Sequence, residues 1–307
     1  MRKLRALAII AGLLLVVGLI FAVDPAGVID ALGRVPPGHI FAAMLVVQVQ
    51  IVLSALRWRF TATRLGHAIP VAVAVREYYL GSVLNQILPG GIAGDAARVY
   101  RIKEDSSGGW KRAATAVVLE RLSGQLAFFT LTGLGVIAWL VFLPGQLPMD
   151  PWPAVWVVLV ALAMLGVAAT WFRAPLKNRI AKFGPDLEAA FWKDGAFVVQ
   201  AGLSTLIVAS YVCTFLIASD AVGAPLPAIA AVTAVPLCLL TMLIPIGIGG
   251  WGGREAAAAA LWPLFGFTAA QGLAASLLYG IFSLAGTALP GLCVLAVSLI
   301  GGRQRRK

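Results

Sequence analysis

Runs of apolar residues recur along this chain at the length a lipid bilayer demands. A helix needs about 20 apolar residues, at about 1.5 Å each, to cross a hydrocarbon core roughly 30 Å thick. Segments 4–23, 40–60, 113–143, 154–172, 196–219 and 268–300 answer to that length. Of the 307 residues, 60% are hydrophobic and 12% are charged, and mean hydropathy is +0.92. A soluble domain is roughly a quarter charged. A water-soluble enzyme is therefore excluded. Intrinsic disorder is excluded too, because such chains lack apolar surface. The fold class that remains is an all-α polytopic membrane protein.

The charged residues orient it. Lys and Arg number 24 against 13 acids, a net charge of +11. Nucleic-acid binders also carry basic charge, but here it is scattered through short loops between apolar segments. That is the signature of membrane topology, with attraction to anionic headgroups as a by-product. Loops 144–153 and 220–227 contain no Lys or Arg and are expected outside. Arg2, Lys3 and Arg5, the Arg57 and Arg59 pair with Arg64 and Arg76, the group from Arg98 to Arg112, the group from Arg173 to Lys193, and Arg303 to Lys307 are expected inside. Only Arg34 and Arg254 would face the outer half. Segment 4–23 is read as an uncleaved first span, being long for a signal peptide and lacking a clear small-x-small site. Both termini are then cytoplasmic, in a cell membrane.

Two segments break the pattern. Residues 71–87 are moderately apolar and lead into Leu88-Pro89-Gly90-Gly91-Ile92-Ala93-Gly94-Asp95. Residues 228–253 run through Ile244-Pro245-Ile246-Gly247-Ile248-Gly249-Gly250-Trp251-Gly252-Gly253. Basic residues flank the first segment at both ends, so a full crossing would put one group outside. A re-entrant hairpin keeps both inside. Its Pro/Gly tip must then be buried in protein or line a wet cavity, because lipid cannot satisfy irregular backbone. The tip residues are Pro89, Gly90, Gly91 and Gly94 in one hairpin, and Pro245, Gly247, Gly249 and Gly250 in the other.

The two tips resemble each other. Residues 88–98 read LPGGIAGDAAR and 244–254 read IPIGIGGWGGR, with five of eleven positions identical at a shift of 156. Three spans separate them, and an odd number inverts the second copy. The expected organisation is two inverted-topology repeats, 1–153 and 154–307, each reading span, span, hairpin, span. Broken helices meeting near the midplane at a repeat interface are the plan of many secondary transporters.

Ionisable side chains within membrane segments cost roughly 2.5 kcal/mol or more each, so each needs a partner or a cavity. Glu120 and Arg121 lie well inside span 113–143. As neighbours on a helix they point about 100° apart, so each is expected to reach another element. Asp95, Arg98, Arg254 and Glu255 occupy or follow the hairpin tips, and Asn85 and Gln86 precede the first. Half-helix starts and Gly-rich turns expose backbone N–H groups that favour an anion. Arg98, Arg121 and Arg254 would add charge for a phosphate. Glu120, Asp95 and Glu255 would hold those arginines or couple to a proton or cation. The candidate substrate-binding set is Asn85, Asp95, Arg98, Glu120, Arg121, Arg254 and Glu255. The same residues are also open to a plainer reading, as internal salt bridges locking the hairpins.

Several other motifs are declined. Cys213, Cys238 and Cys293 are far apart in apolar runs and read as small packing residues. His39 and His67 sit at segment ends and read as solvated polar residues. Residues 247–252 match G-x-G-x-x-G without a βαβ setting, and no P-loop occurs. No catalytic residue, metal site or cofactor is expected. The alanines at 256–260 read as close helix packing. Trp139, Trp152, Trp156, Trp171 and Trp192 read as interface anchors.

Three blocks together resemble the lysylphosphatidylglycerol synthase transmembrane-region family, also described as flippase-like membrane proteins. They are Asn85-Gln-Ile-Leu-Pro-Gly-Gly-Ile-Ala-Gly-Asp95-Ala-Ala-Arg98, Val118-Leu-Glu120-Arg121-Leu-Ser-Gly124, and Ile244-Pro-Ile-Gly-Ile-Gly-Gly-Trp-Gly-Gly-Arg254-Glu255. The resemblance implies lipid translocation in a bacterial or archaeal inner membrane. Gly247 and Gly253 stand where relatives often carry a hydroxyl or larger residue, and Ala93 replaces a frequent Gly, which bears on headgroup specificity. The soluble aminoacyl-transferase domain of the bifunctional synthases has no counterpart in these residues, so lysyl transfer from tRNA is not expected.

The expected function is thus a lipid flippase, not an enzyme, moving an anionic phospholipid or polyprenyl-phosphate-linked lipid between leaflets. Its expected partners are membrane lipids with an anionic headgroup, and no nucleic acid. A homo-oligomer or a partner lipid-modifying enzyme is left open. The rival readings are a small-solute or ion transporter, and a non-transporting partner of a lipid-modifying enzyme. An enclosed site favours the solute and a lateral opening to lipid favours the flippase.

Overall fold

The computed structural model describes residues 17–88, 93–102, 109–142, 183–243 and 250–304. All regular elements among them are helical. They are α1 (17–23), α2 (Pro25–Gly33), α3 (Pro37–Arg64), α4 (Val71–Ile87), α5 (Ala93–Ile102), α6 (Gly109–Phe142), α7 (183–191), α8 (Ala196–Ala221), α9 (Ala228–Val232), α10 (Ala234–Leu240), α11 (Gly253–Leu261) and α12 (Ala269–Gln304). Pro37–Arg64, Gly109–Trp139, Lys193–Ala221 and Ala269–Val294 are long and apolar enough to cross a membrane. The chain is an all-α polytopic membrane protein. Most of the expected first span, the span at 154–172, the loop at 144–153 and Trp152, Trp156 and Trp171 lie outside the described residues.

The element order is the same on both sides of the chain's middle. A long helix, a shorter helix, a break, a short helix and another long helix run through α3, α4, α5 and α6, and again through α8, α9–α10, α11 and α12. The corresponding helix ends are built alike. After α3, the Gly66 N–H donates to the Thr63 carbonyl and His67 N–H to the Ala62 carbonyl, both at 2.9 Å. After α8, Gly223 N–H donates to Asp220 and Ala224 N–H to Ser219, again at 2.9 Å. Gly66 (φ +79°) and Gly223 (φ +76°) take the left-handed turn that this cap requires. Pro70 and Pro227 then start the next helices.

The arms α4 and α5 fold back on each other. A Cβ on Gly94 would land on the carbonyl of Gly81, so this approach requires glycine at 94. Nearer the open ends, Glu77 on α4 receives both Arg76 at 2.9 Å and Arg101 of α5 at 3.1 Å. Arg76 and Arg101, one on either side of this segment, therefore lie at one end of the α4–α5 pair. Its tip residues Pro89, Gly90 and Gly91 lie outside the described residues. In the second segment Gly250 (φ +84°) sits against Met242, which returns the chain onto itself. Pro245, Gly247 and Gly249 lie outside the described residues.

The second segment carries a break that sequence reasoning did not place. Thr233 (φ −114°, ψ −82°) separates α9 from α10. Pro236 has no N–H to return to Val232, which removes one helical hydrogen bond at that point. The Val232 carbonyl lies against Gly135 of α6, where a Cβ would collide with it.

The main apolar core joins α8, α11 and α12 around Phe215, Trp262, Tyr279 and Phe282. Phe215 stacks on Tyr279 with ring centres 5.0 Å apart. Trp262 donates its indole N–H to Ser219 Oγ at 2.9 Å. The alanine run in α11 packs closely on α12, since a Cβ on Gly272 would strike the Ala258 carbonyl. Several expectations need correction. Trp139 is buried and meets Phe265 edge-on at 6.4 Å, so it packs rather than anchors, whereas Trp192 is exposed. His67 is buried, because the cap turns it inward. Cys213 and Cys293 are exposed on helix surfaces, and only Cys238 is a packing residue.

Candidate functional site

A polar stripe begins the site. On α3, Gln50, Ser54, Arg57 and Thr61 recur at helical spacing and are all buried. Residues four and three apart share a helix face, so this otherwise apolar helix turns one polar face inward. On α8, Gln200 and Ser204 do the same. The two faces meet α6: Gln200 Nε2 donates to Thr61 Oγ1 at 2.9 Å, and Ser123 Oγ donates to Gln200 Oε1 at 3.1 Å.

Arg57 belongs to this interior, not to the basic group expected at the cytoplasmic end of span 40–60. Its Nη2 lies 2.6 Å from Glu120 Oε1, its Nε 3.2 Å from the same oxygen, and its Nη1 donates to Ser204 Oγ at 3.1 Å. The arginine thus ties α3 to α6 and α8. Glu120 is 1% exposed. It also accepts from Tyr78 at 3.3 Å and stands 3.7 Å from Arg98. Helix α6 starts at Gly109 rather than the expected Ala113, which puts Glu120 deeper within the helix.

The first hairpin supplies the second part. Asp95 lies in the first turn of α5. Its Oδ1 accepts from Arg98 Nη2 at 2.5 Å, and its Oδ2 pairs with Arg121 Nε. Glu120 and Arg121 therefore each reach other elements. Asn85 holds the turn by accepting the Gly94 N–H at 2.7 Å and donating to Asp95 at 3.4 Å. The Arg98 guanidinium lies between Trp58 and Tyr78, 4.8 and 4.5 Å from their ring centres. Its Nη1 is buried with no hydrogen-bond partner among the described residues. A buried, unsatisfied guanidinium N–H is costly unless a ligand meets it.

The charges at the start of α11 are satisfied close by. Arg254 Nη2 lies 2.5 Å from Glu255 Oε1, and its Nε donates to Ser276 Oγ at 2.9 Å. Glu255 Oε2 accepts the Gly252 N–H at 2.6 Å, and Ser276 donates to Oε1 at 3.1 Å. Trp251 and Tyr279 cover the guanidinium at 5.3 and 4.8 Å. Arg254 is itself buried.

Residues of both broken segments line one cavity of about 450 Å³, within the roughly 300–1,000 Å³ typical of ligand sites. Asn85, Asp95, Arg98, Glu120, Arg121 and Arg254 line it, while Glu255 stands behind Arg254. Six of the seven sequence-derived candidates are thus brought to one cavity, and Gly250 joins them. Arg57, Tyr78 and Tyr211 also line it, and sequence reasoning missed them. The spaced polar residues on α3 were the signal for Arg57. Around the cavity Arg57, Arg98, Arg121 and Arg254 face Asp95, Glu120 and Glu255, which leaves one net positive charge.

The cavity has an edge on the α6 surface. Gln125 lines it and is exposed, and the Arg121 side chain is 41% exposed. Both lie on the helix stripe of Val118, Arg121, Gln125 and Phe129. Val118 and Phe129 are exposed, with Leu126 beside them. Two polar groups therefore interrupt an apolar surface on a helix of membrane-spanning length.

The sequence profile of the lysylphosphatidylglycerol synthase TM region matches residues 9–291. Among curated proteins none matches the chain.

Proposed function

The chain belongs to the lysylphosphatidylglycerol synthase TM-region family, a multi-pass membrane family tied to lipids, and we propose that it moves an anionic lipid between leaflets. The observation that carries this reading is the edge of the cavity on α6. A headgroup enters past Arg121 and Gln125 and reaches Arg98, while the acyl chains stay along Val118, Leu126 and Phe129. One net positive charge and an unsatisfied Arg98 N–H favour a phosphate there. An enclosed cavity would have favoured a small solute.

The repeated element order supports two inverted repeats, 1–153 and 154–307, with the Pro/Gly segments as re-entrant hairpins. In this reading the Arg254–Glu255 pair holds the second hairpin as one wall, and Arg98 with Arg121 forms the binding seat. The protein acts as a transporter rather than an enzyme, in the cell membrane, with both termini cytoplasmic.

The test is a photo-crosslinker at position 125 in the full chain, reconstituted with phosphatidylglycerol whose headgroup is tagged. Headgroup adducts at 125 that disappear with Arg98→Gln support the reading. Acyl-chain adducts alone, with none to the headgroup, overturn it.

A further inference from the structure

Asp95 lines the cavity between two arginines. Each of its two carboxylate oxygens is held by a different arginine, Oδ1 by Arg98 of its own helix and Oδ2 by Arg121 of α6. Two oxygens bridging two guanidinium groups is also how a phosphate would be held. The carboxylate lies in the first turn of a ten-residue helix, where backbone N–H groups favour negative charge. A second observation points to an external ligand: Arg98 lines the cavity, its side chain is 4% exposed, and its Nη1 is buried without a partner among the described residues.

We propose that Asp95 is a tethered stand-in anion, which the phosphate of an arriving headgroup displaces from Arg121 and then from Arg98. This rests on the anionic-headgroup reading above. The order follows from exposure, since Arg121 stands at the cavity edge and Arg98 is enclosed. The other carboxylates do not exchange in this way. Glu120 is held through Oε1 by Arg57 and Tyr78, with its Oε2 3.7 Å from Arg98, and Glu255 by the Gly252 N–H and Ser276. Losing Arg121 releases the Asp95 ion pair to α6, which leaves Tyr78 and Arg98 as the first hairpin's polar contacts to Glu120 of that helix. When the headgroup leaves, Asp95 returns and resets the site. Asp95 is then a positioning residue that speeds release at the expense of affinity.

The test uses the full chain in phosphatidylcholine nanodiscs, with dihexanoyl phosphatidylglycerol and inorganic phosphate as separate probes. Asp95→Asn removes the competing charge and leaves two arginines short of an anion. We expect it to lower Tm without ligand, to gain a larger ligand-induced Tm rise than wild type, and to bind the short-chain lipid about tenfold more tightly. Translocation in liposomes should show lower kcat and lower KM together. A variant with wild-type or weaker lipid binding, beside a wild type that binds, overturns the stand-in role and leaves the seat intact. Absence of lipid binding by wild type, or binding unchanged by Arg98→Gln, overturns the headgroup reading itself. Enhancement by inorganic phosphate alone overturns the lipid as the source of the displacing anion. Asp95→Ala, which cannot mimic the carboxylate shape, should show the same gain in ligand response, whereas a purely structural loss would not be rescued by either probe.

Discussion

Glu120→Gln removes one charge from the centre of the molecule while keeping its shape. The carboxylate meets Arg57 at 2.6 Å and stands 3.7 Å from Arg98, with almost no exposure. Two unit charges about 4 Å apart attract by about 4 kcal/mol at an effective dielectric near 20. Deleting one member of a buried pair costs about 3–5 kcal/mol, because the survivor is left buried and uncompensated. Gln retains an oxygen to accept from Arg57 and Tyr78, so a loss of about 2–4 kcal/mol is expected. Arg57→Met should cost a similar amount. The double variant should lose less than the two single losses together, with a coupling of about 2 kcal/mol. Reversible unfolding in mixed micelles would measure all three. A Glu120→Gln loss under about 0.5 kcal/mol, additive with Arg57→Met, would refute the claim that this pair ties α3 to α6.

Gly94→Val should be among the most damaging single changes in the first hairpin, since its side chain would meet the Gly81 backbone. A cost of about 3 kcal/mol or more should appear as loss of the monodisperse peak in size-exclusion chromatography, and a normal peak would contradict the close approach. Cysteine placed at Arg76 or Arg101 should react with an impermeant maleimide from one side of a vesicle, because both meet Glu77 at the open end of the hairpin. Cysteine at Asp220 should react from the other side, and labelling of 76 and 101 from opposite sides would refute the hairpin.

Much of the helical frame was legible because bilayer thickness fixes length. The expected segment 71–87 coincides with α4, and the expected 40–60, 113–143, 196–219 and 268–300 fall on the four long helices. The candidate charges were legible for an energetic reason: groups such as Glu120 and Arg98 need a partner inside a membrane, and the structure supplies it. Arg57 was misread because charge near a span's end is weighed by position in the sequence. Helical facing decides instead, and Gln50, Ser54 and Thr61 share its face. The break at Thr233 was hidden because its cause is one missing N–H at Pro236 within an apolar run. Trp139 and His67 were misassigned because burial of an aromatic ring depends on neighbours such as Phe265, distant in sequence.

The central claim is that a lipid headgroup passes through the cavity between the hairpins. The most direct measurement is transfer of headgroup-tagged phosphatidylglycerol across liposomes carrying the full chain, beside Arg98→Gln with its folding verified. Transfer above protein-free liposomes, reduced at least about tenfold by the substitution, is the expected result, since the seat loses its central cation (about 1.4 kcal/mol per tenfold). Transfer that proceeds equally in both proteins would contradict the cavity as the path.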